Sequence, residues 1–192
     1  MKKYSYLIVI FSLFFNTIVK ADDIRDFEIE GISIGDSLLD YFNKDKIIKI
    51  KSPNKKLEIT YARMDQNLKT YDFVKFWWFD KDKDYNVVGI AGELIFNNDL
   101  KGCKKKQNEI ADNIKDTLTN FTINKNVNNY FDDKSGESKV YHYSFKFKSG
   151  DNINIQCYIF SKDYKKKVNF IDNLRVMIVT KEMNDHYRIA HK

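Results

Sequence analysis

The chain is short of arginine, proline and histidine, and each shortage argues against a class of structure or function. Its 33 basic residues include only four arginines, the side chain best suited to bidentate phosphate contacts: Arg25, Arg63, Arg175 and Arg188. The lysines alternate with aspartates instead of forming a basic stripe, so the sequence argues against nucleic-acid binding. One proline and an aromatic content of 15% give no signature of disorder.

Histidine is too scarce for the common catalytic and metal-binding motifs. His142, His186 and His191 are the only three, and they form neither an HxxxH pair nor an evident triad base. The 27 acidic residues include no pair that spacing marks out for general acid and base catalysis. We therefore expect no cofactor and no metal, and we favour a non-enzymatic protein while leaving the enzyme class open.

Long apolar runs are absent after residue 21, so the first 21 residues stand out. Two lysines precede an apolar run from Tyr4 to Val19, and Val19-Lys20-Ala21 ends it before two aspartates. This order predicts a signal peptide, residues 1–21, cleaved after Ala21. The alternative is a retained anchor, although the run is short for the roughly 20 residues of a spanning helix. No cysteine follows Ala21, so the usual lipoprotein anchor is missing.

After cleavage, we expect residues 22–192 to form one domain with a short polar C-terminal tail. We expect this mature protein to be periplasmic or secreted and to have no integral membrane span. Losing Lys2, Lys3 and Lys20 lowers the net charge from +6 to about +3. Hydrophobic periodicity predicts an α+β fold in the order β-α-βββ-α-βββ, an antiparallel sheet with a short and a long helix packed on it. The predicted strands are 27–34, 57–64, 71–80, 86–96, 141–147, 153–159 and 173–182; the predicted helices are 38–42 and 99–119.

The two cysteines lie in segments that face the same layer. Cys103 stands among lysines in LKGCKKKQ but shares a helix face with Gln107, Ile110 and Ile114, and Cys157 lies on the apolar side of its strand. An even pair in an exported chain predicts a Cys103 to Cys157 disulfide. The alternatives are free buried thiols, or a reactive or intermolecular thiol activated by its lysine neighbours.

Trp77 and Trp78 are the candidate binding residues of the sequence. Adjacent strand residues point to opposite faces, so at most one indole lies in a given core, and the other is covered by another element or partly exposed. An exposed indole is a suitable anchor for a sugar or a partner. Gly89 and Ala91 leave room in their strand for a large neighbour such as Trp77.

Asp80, Asp82 and Asp84 have the spacing of the first three ligands of a calcium loop. Tyr85 and Ala91 occupy the positions where an EF-hand has glycine and glutamate. We therefore expect a solvated hairpin turn, with weak calcium binding as the alternative.

Two stretches, GISIGDSLLDYF and GELIFNNDLKGCKKKQNEIADNIKDTL, resemble segments of small uncharacterised exported proteins of AT-rich marine alphaproteobacteria. The resemblance implies no known activity, cofactor or binding residue. From the residues, the leading hypothesis is an envelope domain that binds a protein or envelope component through its sheet. The alternative is a small-ligand or carbohydrate-binding module that uses Trp77 or Trp78. The oligomeric state stays open.

Overall fold

A computed structural model describes residues 23–190, so the predicted signal peptide and His191 lie outside the described residues. The described chain forms one eight-stranded antiparallel sheet in the order β1-β2-β3-β4-β8-β7-β6-β5. The strands are β1 (Lys51–Asn54), β2 (Ile59–Met64), β3 (Phe73–Phe79), β4 (Gly89–Ile95), β5 (Phe121–Asn129), β6 (Lys139–Phe147), β7 (Asn152–Ile159) and β8 (Asn173–Val179). The predicted α+β class with an antiparallel sheet is confirmed.

Four α-helices accompany the sheet within residues 23–190, not the two that the sequence predicts. They are α1 (Lys44–Ile50), α2 (Leu100–Thr117), α3 (Lys162–Val168) and α4 (Lys181–Ala190), with short 3-10 helices at Ile24–Asp26 and Leu38–Asp40. In this part of the chain no helix is both long and apolar enough to cross a membrane.

Helix α2 is the predicted long helix, and its sequence explains both its start and its orientation. The Asp99 carboxylate caps it by accepting a hydrogen bond from the Gly102 N–H at 2.8 Å. One face, at helical spacing, buries Cys103, Gln107, Ala111 and Ile114 against β7 and β8, while the lysines lie on the other side. The Gln107 amide donates to the backbone carbonyls of Tyr141 and Ile155, which ties the helix to two strands.

Strand alternation divides the sheet into two unlike faces. The side packed against α2, here called the helix face, is almost entirely apolar and forms the main core with α1 and the segment 23–43. The opposite side, here called the pocket face, is covered at one end by α4, where Met183 packs with Leu57, Ile59 and Val179. Its other end is polar.

The N-terminal expectation was wrong in two respects. Residues 27–34 form no strand but a tight turn, with Ile29 and Ile32 in an isolated bridge and Glu30 and Gly31 at positive φ. The Glu30 carboxylate accepts three backbone N–H bonds from residues 69–71, a long-range contact that local alternation does not reveal. The predicted short helix is only the 3-10 turn Leu38–Asp40, capped by Ser37, and the α-helix begins later, at Lys44.

Four other elements depart from the predicted order, and the first is β1, which lies in a segment with no predicted strand. The Asn-rich segment between the predicted helix 99–119 and the predicted strand 141–147 has no predicted element, but it contains β5, an exposed edge strand paired along its length with β6. The lysine-rich segment after β7 forms α3, capped by Ser161. The segment expected as a polar tail forms α4, whose Met183 is fully buried. Pairing with a neighbour, or burial of one side chain, stabilises structure that the local composition disfavours.

Candidate functional site

The candidate site is a cavity of about 390 Å³ on the pocket face, at the end of the sheet away from α4. It lies where β3 and β8 begin and β4 and β7 end, roofed by the loops after β5 and α3. We call it the cationic pocket, because its charged lining residues are three cations and a single anion: Arg63, Lys75, Arg175 and Glu93.

Glu93 organises the floor of the cationic pocket. Its register partners are Arg175 on β8 and Phe73 on β3, and Lys75 lies two residues beyond Phe73 on β3. One carboxylate oxygen, Oε1, accepts from Lys75 Nζ and from Arg175 Nε, each at 2.8 Å. Glu93 is only 6% exposed, which means that the carboxylate shared by the two cations is buried. Such an arrangement avoids an unpaired buried charge while keeping a positive excess.

The titration of these groups reflects their crowding. Burial by itself would raise the pKa of Glu93, but Arg175 and Lys75 hold it below its ordinary value. Burial lowers the pKa of Lys75, and the positive charges of Arg175 and Arg63 lower it further against the opposing effect of Glu93. The charged form of Lys75 is therefore disfavoured in this site, and an added anion beside it would stabilise that charge.

Arg63 supplies the third cation, at the mouth of the pocket. Its guanidinium stacks 3.8 Å above the centre of the Phe73 ring. Within residues 23–190, no carboxylate lies within ion-pair distance of Arg63. The exposed guanidinium thus has donors available to a ligand while its plane is fixed by the ring.

Six aromatic rings form the walls of the cationic pocket: Phe73, Tyr130, Phe131, Tyr158, Phe160 and Phe170. Tyr130 stands at the centre of the cluster, with Phe131 and Phe160 each 5.1 Å away between ring centroids. Burial raises the pKa of the Tyr130 hydroxyl to about 12, so it stays protonated at neutral pH. Phe131 is 74% exposed, which is unusual for phenylalanine and leaves an apolar ring at the rim.

Asp172 positions the roof of the pocket. This fully buried carboxylate accepts backbone N–H bonds from Phe160 and Asn98 and an ammonium bond from Lys165 at 2.6 Å. These contacts join α3 to the loop that carries Phe170 and Ile171. The aromatic wall is therefore held by a hydrogen-bonded scaffold and not by apolar packing alone.

A row of hydrogen bonds continues from the pocket across the sheet. Arg175 Nη1 donates to the Tyr158 hydroxyl at 3.3 Å, and that hydroxyl donates to Gln156 Oε1 at 2.9 Å. The Gln156 amide nitrogen lies 3.0 Å from His142 Nδ1. Burial lowers the pKa of His142, which favours the neutral ring in this row.

The two tryptophans lie on opposite faces, as adjacent strand residues must. Trp78 is 2% exposed in the core of the helix face. Trp77 is half-buried on the pocket face, opposite Gly89, where it lines a smaller hollow of about 170 Å³ with Tyr61 and Tyr187. Lys75 lines both this hollow and the cationic pocket, so Trp77 is a neighbour of the candidate site and Trp78 is not.

The three aspartates of the calcium motif do not form a metal cluster. Asp80 accepts from the Thr60 hydroxyl at 2.6 Å, and Asp82 accepts from the backbone N–H groups of Asp84 and Asn86. These contacts stabilise the connection between β3 and β4. Across residues 23–190, no group of three or more metal-ligating side chains comes together.

The structure joins Cys103 and Cys157 by a disulfide, with their sulfur atoms 2.05 Å apart. Both residues are fully buried on the helix face, where the bond links α2 to β7. The lysines around Cys103 contribute nothing to a thiolate, since neither sulfur is free. The disulfide is structural and lies on the other side of the sheet from the cationic pocket.

Sequence reasoning missed the pocket because its charged residues are far apart in the chain. Lys75, Glu93 and Arg175 are each a charged residue inside an otherwise apolar strand, and that isolation was the signal available. A charge in such a strand has to find a partner or water. Which partner it finds depends on strand pairing, and Glu93 and Arg175 are 82 residues apart.

Comparison of the chain with protein-family models, curated proteins and solved structures found no match. The function has to be inferred from the residues of the site.

Proposed function

We propose that this chain is a ligand-binding domain of the cell envelope and that its cationic pocket binds a small anion. The observation that carries the proposal is the charge balance of the cavity, in which three cations surround one carboxylate that two of them already share. A carboxylate or phosphate group placed between Arg63 and Lys75 would supply the missing negative charge.

Binding suits the chemistry of the pocket better than catalysis does. Its polar groups are cations, phenols and amides, and its one carboxylate is engaged by Lys75 and Arg175. A volume of about 390 Å³ falls within the size range of small-molecule sites, which are concave, largely apolar and fitted with a few placed polar groups. The aromatic walls and charged floor match that description.

An extracytoplasmic location fits this role. Disulfides persist mainly in oxidising compartments, and the buried Cys103 to Cys157 bond is compatible with such a compartment. Together with the predicted signal peptide, this supports a periplasmic or secreted protein.

Titration with simple anions tests the proposal. Benzoate and inorganic phosphate are added to isotopically labelled protein at low ionic strength, and backbone amide shifts are followed by NMR. We expect saturable shifts at β3, β4 and β8 around the pocket. Replacing Arg63 with Gln should weaken binding about tenfold, because a hydrogen bond to a charged group is lost.

Arg188→Gln is the matched control, since it removes one exposed guanidinium on α4. Its affinity should equal that of the unmodified protein. Equal weakening by both variants would indicate a diffuse charge effect, and the absence of saturable binding by either anion would refute the proposed function.

A second candidate function is docking of a protein or another envelope component on the same face. Four large apolar side chains are exposed around the pocket mouth: Ile95, Phe131, Phe170 and Ile171. Exposed apolar side chains grouped at one site often mark an interaction surface. A photo-crosslinking residue at position 131, activated in intact cells, should give one discrete protein adduct if this function holds and none if the pocket serves only a small ligand.

A further inference from the structure

We infer that the ligand of the cationic pocket is an aromatic carboxylate, a planar ring system that carries one carboxylate group. This inference rests on the proposed anion-binding function and specifies its ligand class. Three features carry it: the depth at which the charges lie, the aromatic composition of the walls, and the orientation of the two guanidinium groups.

Two of the three cations lie deeper than the exposed aromatic rings, whereas Arg63 is at the mouth. The ammonium of Lys75 and the guanidinium of Arg175 are at the floor, where they contact the buried carboxylate of Glu93. Phe131 and Phe170 are at the mouth, exposed by 74% and 42%. A ligand that satisfies both levels has its charged end inside and its apolar body at the rim, so a bare inorganic anion would use only half of the site.

The walls favour an aromatic body over an aliphatic one. Tyr130 makes edge-on contacts with Tyr158, Phe160 and Phe170, all with centroids within 6.4 Å. Phe131 continues this cluster outward but is mostly uncovered. A further ring placed against Phe131 would add an aromatic pair with the same preferred geometry, which an aliphatic group of equal size does not gain.

The guanidinium groups favour a planar carboxylate. Arg63 stacks on Phe73 and Arg175 on Tyr158, with distances of 3.8 and 4.8 Å from the guanidinium carbon to the ring centre. Stacking fixes the plane of each fork, and a carboxylate matches a fork with two parallel hydrogen bonds. The Arg175 fork is already engaged, since Nε and Nη2 both lie 2.8 Å from Oε1 of Glu93, so the fork of Arg63 is the one open to a ligand carboxylate.

The test compares 2-naphthoate with its saturated counterpart, decahydro-2-naphthoate, by isothermal titration calorimetry on the full mature chain. The two have the same charge and carbon skeleton. We expect 2-naphthoate to bind about two- to tenfold more tightly, the gain typical of an aromatic pair beyond its buried area. Neutral 2-naphthamide should bind at least tenfold more weakly than 2-naphthoate, because it lacks the charge.

Phe131→Leu should abolish the preference for the aromatic ligand while keeping the affinity for decahydro-2-naphthoate. Ile171→Leu, an aliphatic change at the same rim, should leave the preference intact. Because Phe131 is exposed, its replacement does not threaten the fold.

The outcomes separate the two levels of the proposal. Equal affinity for the two naphthoates, or an equal affinity for inorganic phosphate, would overturn the aromatic inference while leaving an anion site. Equal affinity for 2-naphthamide would overturn the carboxylate. Failure of every anion to bind would overturn both this inference and the proposed function.

Discussion

The two faces of the sheet are built from the same strands but differ in composition and use. On the helix face, β3 presents Val74, Phe76 and Trp78 to a core closed by α2 and the disulfide. On the pocket face the same strand presents Phe73, Lys75 and Trp77, of which only Trp77 lies near α4. Because side chains alternate along a strand, one face can be packed for stability while the other carries charge.

The two faces differ most in how well they are expected to tolerate substitution. Removal of apolar volume or of the disulfide on the helix face acts directly on the main core. The polar end of the pocket face tolerates substitution at its rim, since Arg63 and Phe131 are exposed, but not at Glu93, which two cations depend on. We expect the following changes to separate these contributions.

The largest effect is expected from removing the disulfide of the helix face. The double variant Cys103→Ala/Cys157→Ala should lose on the order of 4 kcal/mol of unfolding free energy, because the bond closes a loop with a sequence separation of 54. Urea unfolding monitored by circular dichroism measures it. Anion affinity in the absence of urea should not change, since the pocket is on the opposite face. A loss below about 1 kcal/mol would contradict the structural role of the bond.

Glu93→Gln should be the most costly single change on the pocket face. It leaves Lys75 and Arg175 without their shared carboxylate, and breaking such a buried pair typically costs about 3 kcal/mol. Glu109→Gln is the control, because Glu109 is an exposed partner of Lys106 on α2 and its loss should cost less than about 0.5 kcal/mol. Similar losses for the two variants would show that the pocket charges are weakly coupled.

The same variant predicts a change in acid stability. The pKa of Glu93 is lower in the folded chain than its ordinary value, so the folded state holds this carboxylate charged where the unfolded state begins to bind a proton. Its stabilisation is complete above about pH 5 and is lost as the pH falls from there through the lower, folded-state pKa. Unfolding free energies measured from pH 7 to pH 2 should therefore decline less steeply for Glu93→Gln than for the unmodified chain.

Substitution of two glycines of β4 allows the packing of the two faces to be compared, because Gly92 lies on the helix face and Gly89 on the pocket face. A Cβ at Gly92 would lie 2.5 to 2.6 Å from carbons of the rigid Tyr71 ring, whereas one at Gly89 would meet the flexible end of Met183. Gly92→Ala should therefore cost about 2 kcal/mol, a typical overpacking penalty, and Gly89→Ala less. Thermal unfolding of both variants measures the difference, and the reverse order would show that α4 holds Met183 more rigidly than its side chain suggests.

The smallest effect on stability, but a clear optical one, is expected at the tryptophans. Trp78 is 2% exposed and should be shielded from acrylamide, whereas half-buried Trp77 should be quenched. Trp77→Phe should therefore lower the Stern–Volmer slope of the protein. An unchanged slope would mean that the α4 end of the pocket face is closed to solvent.

Local patterns predicted the elements whose stability is itself local. The spacing of Cys103, Gln107 and Ile114 predicted α2, and hydrophobic alternation predicted the strands that the structure pairs as β6 and β7. Prediction failed where distant contacts decide the conformation. Glu30 holds its turn through backbone groups of residues 69–71, and β5 exists because β6 pairs with an Asn-rich segment. The sequence did not predict the candidate site for the same reason, since each of its charged residues comes from a different strand.

The sequence by itself determined the α+β class, the long helix and the opposite directions of Trp77 and Trp78, because these follow from periodicity. It predicted the pairing of the two cysteines but left free thiols open, and the structure joins them. Only the tertiary structure decided that β4 lies between β3 and β8, which sets Glu93 beside Arg175 and within reach of Lys75. Antiparallel register is a nonlocal property, fixed when apolar residues of distant segments are buried on one face. The same register fixes where the charged side chains lie on the other face, and this places them together in the cationic pocket.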